Sequence, residues 1–403
     1  MKELYDRVET LREAMVNLQK ELTARPAIAP ENGGKGEKEK GLFLTTVVQE
    51  MGFEYERYDC FDERISDIRP NLRVIYPGKI KKNLWIITHL DVVPAGNLSL
   101  WETDPFCAVV KEDRIYGRGT EDNQQELVAS LFALKALRDL NQEPRYTLSL
   151  LFVADEETGS RYGINYLLNN FSLFQEDDLI VVADAGNKEG SMIEIAEKSL
   201  LWLKFIIRGK QSHASSPEEG LNAHRLGAKF LCLLDKKLPK RFKKKNRLFE
   251  PPYSTFEPTK KEANVPNINT IPGEDVFYFD CRILPEYSPE EIESFIQELK
   301  EEFTKKVGGE ISFSAIYSSE PAPPTNPKAE IIKKLKRAIK EVYGVKPFVK
   351  GIGGGTVAAA FRKKGLPVGV WGKYEGKAHQ PNEYSLIDNM VNDAKVYCRL
   401  ALL

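Results

Sequence analysis

The sequence predicts an α/β protein: a mainly parallel sheet covered by helices and interrupted by a smaller α+β domain. Three observations predict it. Apolar runs at Leu84–Thr88, Thr147–Ala154 and Leu179–Ala183 are nearly continuous rather than alternating, which marks strands buried on both faces. A helical stretch from Gln125 to Leu140, with Leu127, Leu131 and Leu134 on one side, separates the first two runs. From about Leu200 the texture changes, and a second set of strands and helices follows.

Taken in order, the chain begins with Met1, Lys2 and Glu3. It continues with an amphipathic pattern that places Leu4, Val8, Leu11 and Met15 on one face, so no signal peptide is expected. The three apolar runs come next. Leu200–Arg208 and Val276–Ile283 then read as strands, and Ile311–Ile316 alternates with period two. Between them fall a helix near Leu221–Leu238 and another with a clear start. Ser288 is its N-cap, Pro289 its first position, and Glu291 completes a capping box. The proline-rich Pro321–Pro327 reads as a linker back to the first domain. A helix over Ala329–Tyr343, a glycine-rich turn at Gly351–Gly355 and a strand over Pro367–Trp371 would complete the larger sheet. The expected domains are therefore 1–198 with 319–403, and an insertion over 199–318.

Bulk properties narrow the function. At 403 residues two domains are expected, and 42% apolar and 29% charged residues with a net charge of −1 supply no field for nucleic acid or an anionic membrane. The basic stretch Lys236–Arg247 reads as a solvated loop. No apolar run has transmembrane length. Five scattered cysteines without a CxxC pair argue against a disulfide framework, and a cytoplasmic location is expected.

The chemistry gathers at strand ends. His89 and Asp91 close the first buried run, and a period of two puts both side chains on one side of the backbone. Asp155, Glu156 and Glu157 follow the second run, Asp184 ends the third, and His379 follows the last strand. Ligands of open α/β sheets gather beyond the carboxyl ends of strands, so these groups share one rim. Asp122 sits in Gly117–Asn123, the loop that opens the Gln125 helix, and can face the same rim. Singly, His89 is an ordinary strand-end residue and Glu156-Glu157 a solvated pair. The chain has only four histidines, however, and two of them fall here. Imidazoles and carboxylates suit a hydrolytic zinc site, and one carboxylate beyond the needs of a single ion points to two. In a Glu-Glu pair one residue ligates while its neighbour takes a proton.

The motifs Thr88-His89-Leu90-Asp91-Val92-Val93-Pro94, Gly117-Arg118-Gly119-Thr120-Glu121-Asp122 and Asp155-Glu156-Glu157-Thr158-Gly159, with the late His379, resemble the M20 family of co-catalytic metallopeptidases and deacylases over nearly the whole chain. The resemblance implies that His89 and Asp184 hold one zinc, and Glu157 and His379 the other, with Asp122 bridging; cobalt or manganese would also serve. It implies a cis peptide bond after Asp122, Glu156 as general base, and Asp91 orienting His89. The insertion resembles a ferredoxin-like lid and dimerisation domain, which implies a homodimer. Within it, His213 resembles a histidine that reaches across the dimer to the oxyanion, while Asn269 and Arg282, with Gly355 and Thr356, resemble a pocket for the substrate carboxylate. His224 matches nothing and is assigned to a helix surface. The pattern is most similar to acetylornithine deacetylase and succinyl-diaminopimelate desuccinylase, which implies a small N-acyl amino acid or short peptide as substrate. Asp184 stands where that branch typically has Glu, and Asp is more typical of dipeptidases and aminopeptidases. A non-catalytic, metal-stabilised dimeric binding protein is the alternative of another class, against which the general base Glu156 argues.

Overall fold

The computed structural model describes residues 1–403. The chain opens with helices α1 (Lys2–Thr10), α2 (Arg12–Thr23) and α3 (Lys38–Glu50). Strands β1 (Glu54–Arg57), β2 (Leu72–Tyr76), β3 (Ile80–His89) and β4 (Arg114–Tyr116) lead to helix α4 (Gln125–Asp139). Then come β5 (Tyr146–Val153), α5 (Ile164–Asn170), β6 (Leu179–Val182) and β7 (Met192–Glu197). The next segment carries β8 (Ser199–Arg208), β9 (Ser212–His213), α6 (Ala223–Arg241), β10 (Thr255–Lys261), β11 (Thr270–Ile271), β12 (Glu274–Ile283), α7 (Pro289–Val307) and β13 (Glu310–Ser318). The chain finishes with α8 (Glu330–Tyr343), β14 (Phe348–Ile352), α9 (Ala358–Lys363), β15 (Val368–Val370), β16 (Tyr384–Leu386) and α10 (Ile387–Ala401).

Two compact units result. One comprises Met1–Ile195, Thr325–Lys350 and Thr356–Leu403; the other comprises Ala196–Pro324 and Gly351–Gly355. The first is built on an eight-stranded sheet in the order β1-β2-β5-β3-β6-β15-β7-β14. The three apolar runs and the Pro367–Trp371 strand form its centre, where β5, β3, β6 and β15 are parallel. The pairs β1–β2, β2–β5 and β15–β7 are antiparallel, so the sheet is mixed, and the strands that lead to the site lie in its parallel stretch. Trp85, Ile87, Leu151, Val153, Ile180, Val182 and Val368 are buried with Ile164 and Phe361 of α5 and α9 in one core. Helix α4 differs from the one-sided pattern expected of it. Every residue from Gln125 to Leu134 is buried, because α10, α1 and α2 pack around it.

The second unit pairs β10-β12-β8-β13 antiparallel, with α6 and α7 packing Leu226, Phe230, Leu234, Ile292 and Ile296 onto Leu203, Phe205 and Phe277. The capping box at Ser288 forms as expected, with Ser288 and Glu291 each satisfying the other's backbone N–H. The basic stretch is a correction. Lys236–Arg241 lies in α6, because the apolar stripe of Leu226, Phe230, Leu234 and Leu238 runs straight through it. His224 does stand on the surface of α6, but its Nδ1 lies 3.1 Å from Oδ1 of the buried Asp275. No helix is long and apolar enough to cross a membrane.

Candidate metal centre

Strand register builds the site. His89 ends β3 opposite Val153, the last residue of β5, and Ile87 of β3 lies opposite Val182 of β6. Asp184 therefore follows Val182 by the same two residues that separate His89 from Ile87, and the two side chains arrive side by side. Their closest approach, Nε2 to Oδ1, is 3.3 Å. Beyond β5 the chain turns sharply. Asp155 is left-handed (φ 63°), and its carboxylate accepts the Tyr162 N–H at 3.1 Å as well as the Thr158 hydroxyl. That turn throws Glu156 and Glu157 back over the strand ends.

Two groups of donors converge: His89, Asp122 and Asp184 in one, Asp122, Glu157 and His379 in the other, each with its ligand atoms within 4.8 Å of one another. Asp122 belongs to both and uses a different oxygen for each. Its Oδ1 lies 2.9 Å from Nε2 of His89, and its Oδ2 lies 3.1 Å from Nε2 of His379. His379 Nε2 is also 3.1 Å from Oε1 of Glu157. The peptide bond between Asp122 and Asn123 is cis.

The tautomer of His89 follows from its other nitrogen. Nδ1 lies 3.0 Å from the Asp91 carbonyl oxygen, which can only accept, so Nδ1 carries the hydrogen and Nε2 turns a lone pair towards two carboxylates. In the neutral ring those lone pairs would face one another across about 3 Å, which calls for a cation between them, either a proton on Nε2 or a metal ion. A pair of imidazoles with three carboxylates suits zinc, so the residues present fit the metals that the sequence implies. The protonation equilibria agree. Although burial opposes its charge, Asp184 and Asp122 hold the His89 imidazole well above its ordinary pKa. Hydrogen bonds to Asp122 and Glu157 raise His379 to about 10. Burial raises Glu157 to about 7, with the Asp122 charge adding to it. Burial also favours the neutral form of Asp122, yet its bonds to His379 and His89 hold it below the usual range.

Asp91 touches more than His89. Its carboxylate lies 3.5 Å from His89 Nδ1, and it accepts the backbone N–H groups of Glu156 at 3.1 Å and Glu157 at 3.0 Å. One buried carboxylate thus ties the β3 end to the Glu156 turn. Glu156 is pushed well above its ordinary pKa by burial and then by the charge of Asp184.

Several supporting residues escape a reading of the sequence. Asn123 Nδ2 donates to Asp184 Oδ1 at 2.9 Å and to the Ala183 carbonyl at 3.1 Å, while its Oδ1 accepts the His89 N–H at 3.2 Å. Below the turn, the fully buried Arg69 forks onto Glu37 and reaches Asp62 at 3.2 Å, and Glu37 accepts the Asp155 N–H at 3.3 Å. The buried ammonium of Lys40 has no hydrogen-bond partner; burial lowers its pKa to about 8 against the pull of Asp91, Glu37 and Glu383. Apart from Asn123, these groups belong to elements outside the motifs, and no motif marks them.

The remaining expected residues belong mainly to the second unit. His213 is exposed on β9, opposite Thr270 of β11, and its Nδ1 accepts the Ser215 N–H at 3.1 Å. The neutral ring therefore carries its hydrogen on Nε2, free to donate. Arg282 is already engaged: it forks onto Asp280 at 2.6 and 2.9 Å and donates to the Gly353 carbonyl at 3.0 Å. Asn269 is exposed in the loop before β11, and Gly355 lies in the same unit. Thr356 falls in the first unit, where its hydroxyl accepts the Ala358 N–H at the start of α9.

The model of peptidase family M20/M25/M40 matches residues 85–403. An uncharacterised metallohydrolase of Methanocaldococcus jannaschii is 44% identical over 96% of this chain and 98% of its own length. A succinyl-diaminopimelate desuccinylase of Orientia tsutsugamushi is 25% identical over 96% of this chain and 95% of its own. The solved structure of a human carnosine dipeptidase is 18% identical, covers 100% of this chain and 98% of its own, and superposes with a TM-score of 0.76. The chain belongs to peptidase family M20/M25/M40 and is a metal-dependent hydrolase of amide or peptide bonds.

Proposed function

We propose that this chain holds two zinc ions and hydrolyses the amide bond of a small N-acyl amino acid, in the manner of an acetylornithine deacetylase or succinyl-diaminopimelate desuccinylase. The observation that carries the two-metal reading is Asp122, whose two oxygens each face a different imidazole. His89 and Asp184 would hold one ion, Glu157 and His379 the other, with Asp122 between them. Cobalt or manganese would fit the same donors. When bound, such a pair supplies Lewis acidity for a carbonyl group and for water.

The chain supplies the rest. Glu156 takes a proton from the attacking water as its oxygen bonds to the carbonyl carbon. It then delivers that proton to the amine nitrogen as the C–N bond breaks. Asp91 holds Glu156 in place through the backbone and fixes the ring of His89. In a homodimer joined through the second unit as lid, the partner subunit's His213 would donate Nε2–H to the oxyanion. Asn269 and Arg282, with Gly355 and Thr356, would receive the substrate carboxylate. The Arg282 fork would then be shared with or surrendered by Asp280, which ties substrate binding to a rearrangement there. Five free cysteines suit a reducing, cytoplasmic setting.

A dipeptidase is the second reading. It is favoured by Asp184, a carboxylate one methylene shorter than Glu, and by the fold shared with a carnosine dipeptidase. A substrate panel separates the two. Zinc-loaded enzyme should turn over N-acetylornithine or N-succinyl-diaminopimelate in preference to dipeptides with free amino termini. Turnover of dipeptides alone would replace the first reading with the second.

A further inference from the structure

His379 is an awkward ligand to hold. Its side chain is 53% exposed, so packing does little to fix it, and its backbone is left-handed (φ 62°), a conformation a histidine adopts at a cost. Something other than burial must keep its Nε2 opposite Asp122 and Glu157. The structure supplies it from the residue next to Asp122. Glu121 is 1% exposed, and its carboxylate turns away from the ligands into the loop that leads to His379. Oε1 accepts the backbone N–H of Glu375. Oε2 accepts those of Lys377 and, at 2.9 Å, Ala378, the residue preceding His379. Three amide hydrogens converge on one carboxylate.

The same device runs in the opposite direction. Glu383, fully buried four residues beyond His379, reaches back to the loop of Asp122. Its Oε1 accepts the N–H of Glu121 at 3.0 Å and of Asp122 at 3.2 Å, while Oε2 pairs with Arg118. The tie continues a regular ladder. β16 pairs with β4 through Tyr384 and Tyr116, and the Gly117 N–H extends it onto the Glu383 carbonyl at 3.0 Å. Each loop thus carries a metal ligand and a glutamate that grips the other loop's backbone.

We propose that Glu121 and Glu383 are positioning residues that set the distance between Asp122 and His379, Glu121 acting on the His379 side alone and Glu383 through Asp122 on both metal positions. The proposal rests on the two-metal reading and goes beyond it, since neither glutamate is a ligand. It predicts an asymmetry. With Glu121→Gln, one oxygen still accepts an N–H, but the amide NH2 faces an N–H where an oxygen stood, and the His379 loop loses its grip. The metal held by Glu157 and His379 should then bind 10- to 100-fold more weakly, the usual consequence of losing a supporting partner, while the metal held by His89 and Asp184 keeps its affinity within about twofold. With Glu383→Gln both affinities should fall.

The test is titration of the metal-free full-length protein with Zn2+ from a chelator buffer, followed by calorimetry. Cobalt absorption spectra would report the geometry of each position. A thermal melt of each metal-free variant separates a misplaced loop from a misfolded chain, and Glu121→Ala serves as a second variant should Glu121→Gln melt early. Two binding events in the parent protein, with one displaced and the other unchanged in the Glu121 variants and both displaced with Glu383→Gln, support the proposal. Two unchanged events, or equal weakening of both in the Glu121 variants, overturn it. A parent protein that binds fewer than two equivalents of Zn2+ would remove the two-metal reading itself, and the proposal with it.

Discussion

Glu156 can serve as a base only when ionised, yet burial and the neighbouring Asp184 push it towards its neutral form. Cations among the same carboxylates reverse that pressure, so metal loading and a working base go together. Glu156 contributes no atom to either donor group. Glu156→Gln should therefore leave metal content unchanged while lowering kcat by 10²- to 10⁴-fold, the range for a lost general base. Element analysis alongside steady-state rates would check it, and preserved turnover would remove Glu156 from its role. Asp122→Asn makes the contrasting case. It replaces one of the two facing oxygens with a donor, so both metal equivalents should be lost in the same assay. The side chains that converge in the two donor groups were legible because histidines are scarce and fall at ends of apolar runs. Glu121 was not, although it lies inside a recognised motif. It is one of 59 acidic residues, and the N–H groups it grips begin 254 residues away.

Helices α4 and α10 meet at a buried acid pair, and there the element scale matters. Glu126 and Asp393 hydrogen-bond one another, Tyr397 donates to Glu126, and Asp393 accepts the Tyr343 hydroxyl at 2.6 Å and Gln125 Nε2 at 3.2 Å. The charge of Lys373 acts on Asp393 but does not offset the burial, so the pair keeps a proton. Burial raises Asp393 to about 6 and Glu126 well above its ordinary value. Carboxyls raised on folding stabilise the fold fully below their unfolded values near 4, and that contribution is lost as pH rises through about 6 for Asp393. Chelated protein should accordingly lose Tm between pH 5 and 7, and Asp393→Asn should flatten that fall. Parallel slopes for the two proteins would show that no proton is shared there. The elements themselves were read from pattern: strands as unbroken apolar runs, α7 from its cap. The wrapping of α4 was hidden, because Ala129, Ser130 and Ala133 look neutral until α10 covers them. For the same reason lysines at the end of α6 passed for a loop, since charge outweighed a stripe with one leucine per turn.

For the whole molecule, the two-metal reading makes the two imidazoles couple stability to metal and pH together. Each must surrender a proton before it can ligate, so metal binding releases protons and weakens as pH falls. At free metal a hundredfold above Kd, binding adds about 2.7 kcal/mol to stability. Melting loaded and chelated protein across pH should show a gap in Tm that is wide at pH 8 and closes towards pH 5. Coincident curves at pH 8 would mean that no metal is held. The sheet order carries a consequence for biosynthesis. β15 lies between β6 and β7, although the ribosome makes it only after the whole inserted unit has emerged. The nascent chain thus waits with β6 bare along the edge that β15 will fill. It already owns His89, Asp122 and Asp184, one full set of donors, while the second set stays open until His379 is translated. Even that first set lacks the Glu383 tie to the Asp122 loop until the last part of the chain is made, so in the two-metal reading a half-made chain has the donors and no complete machinery to use them.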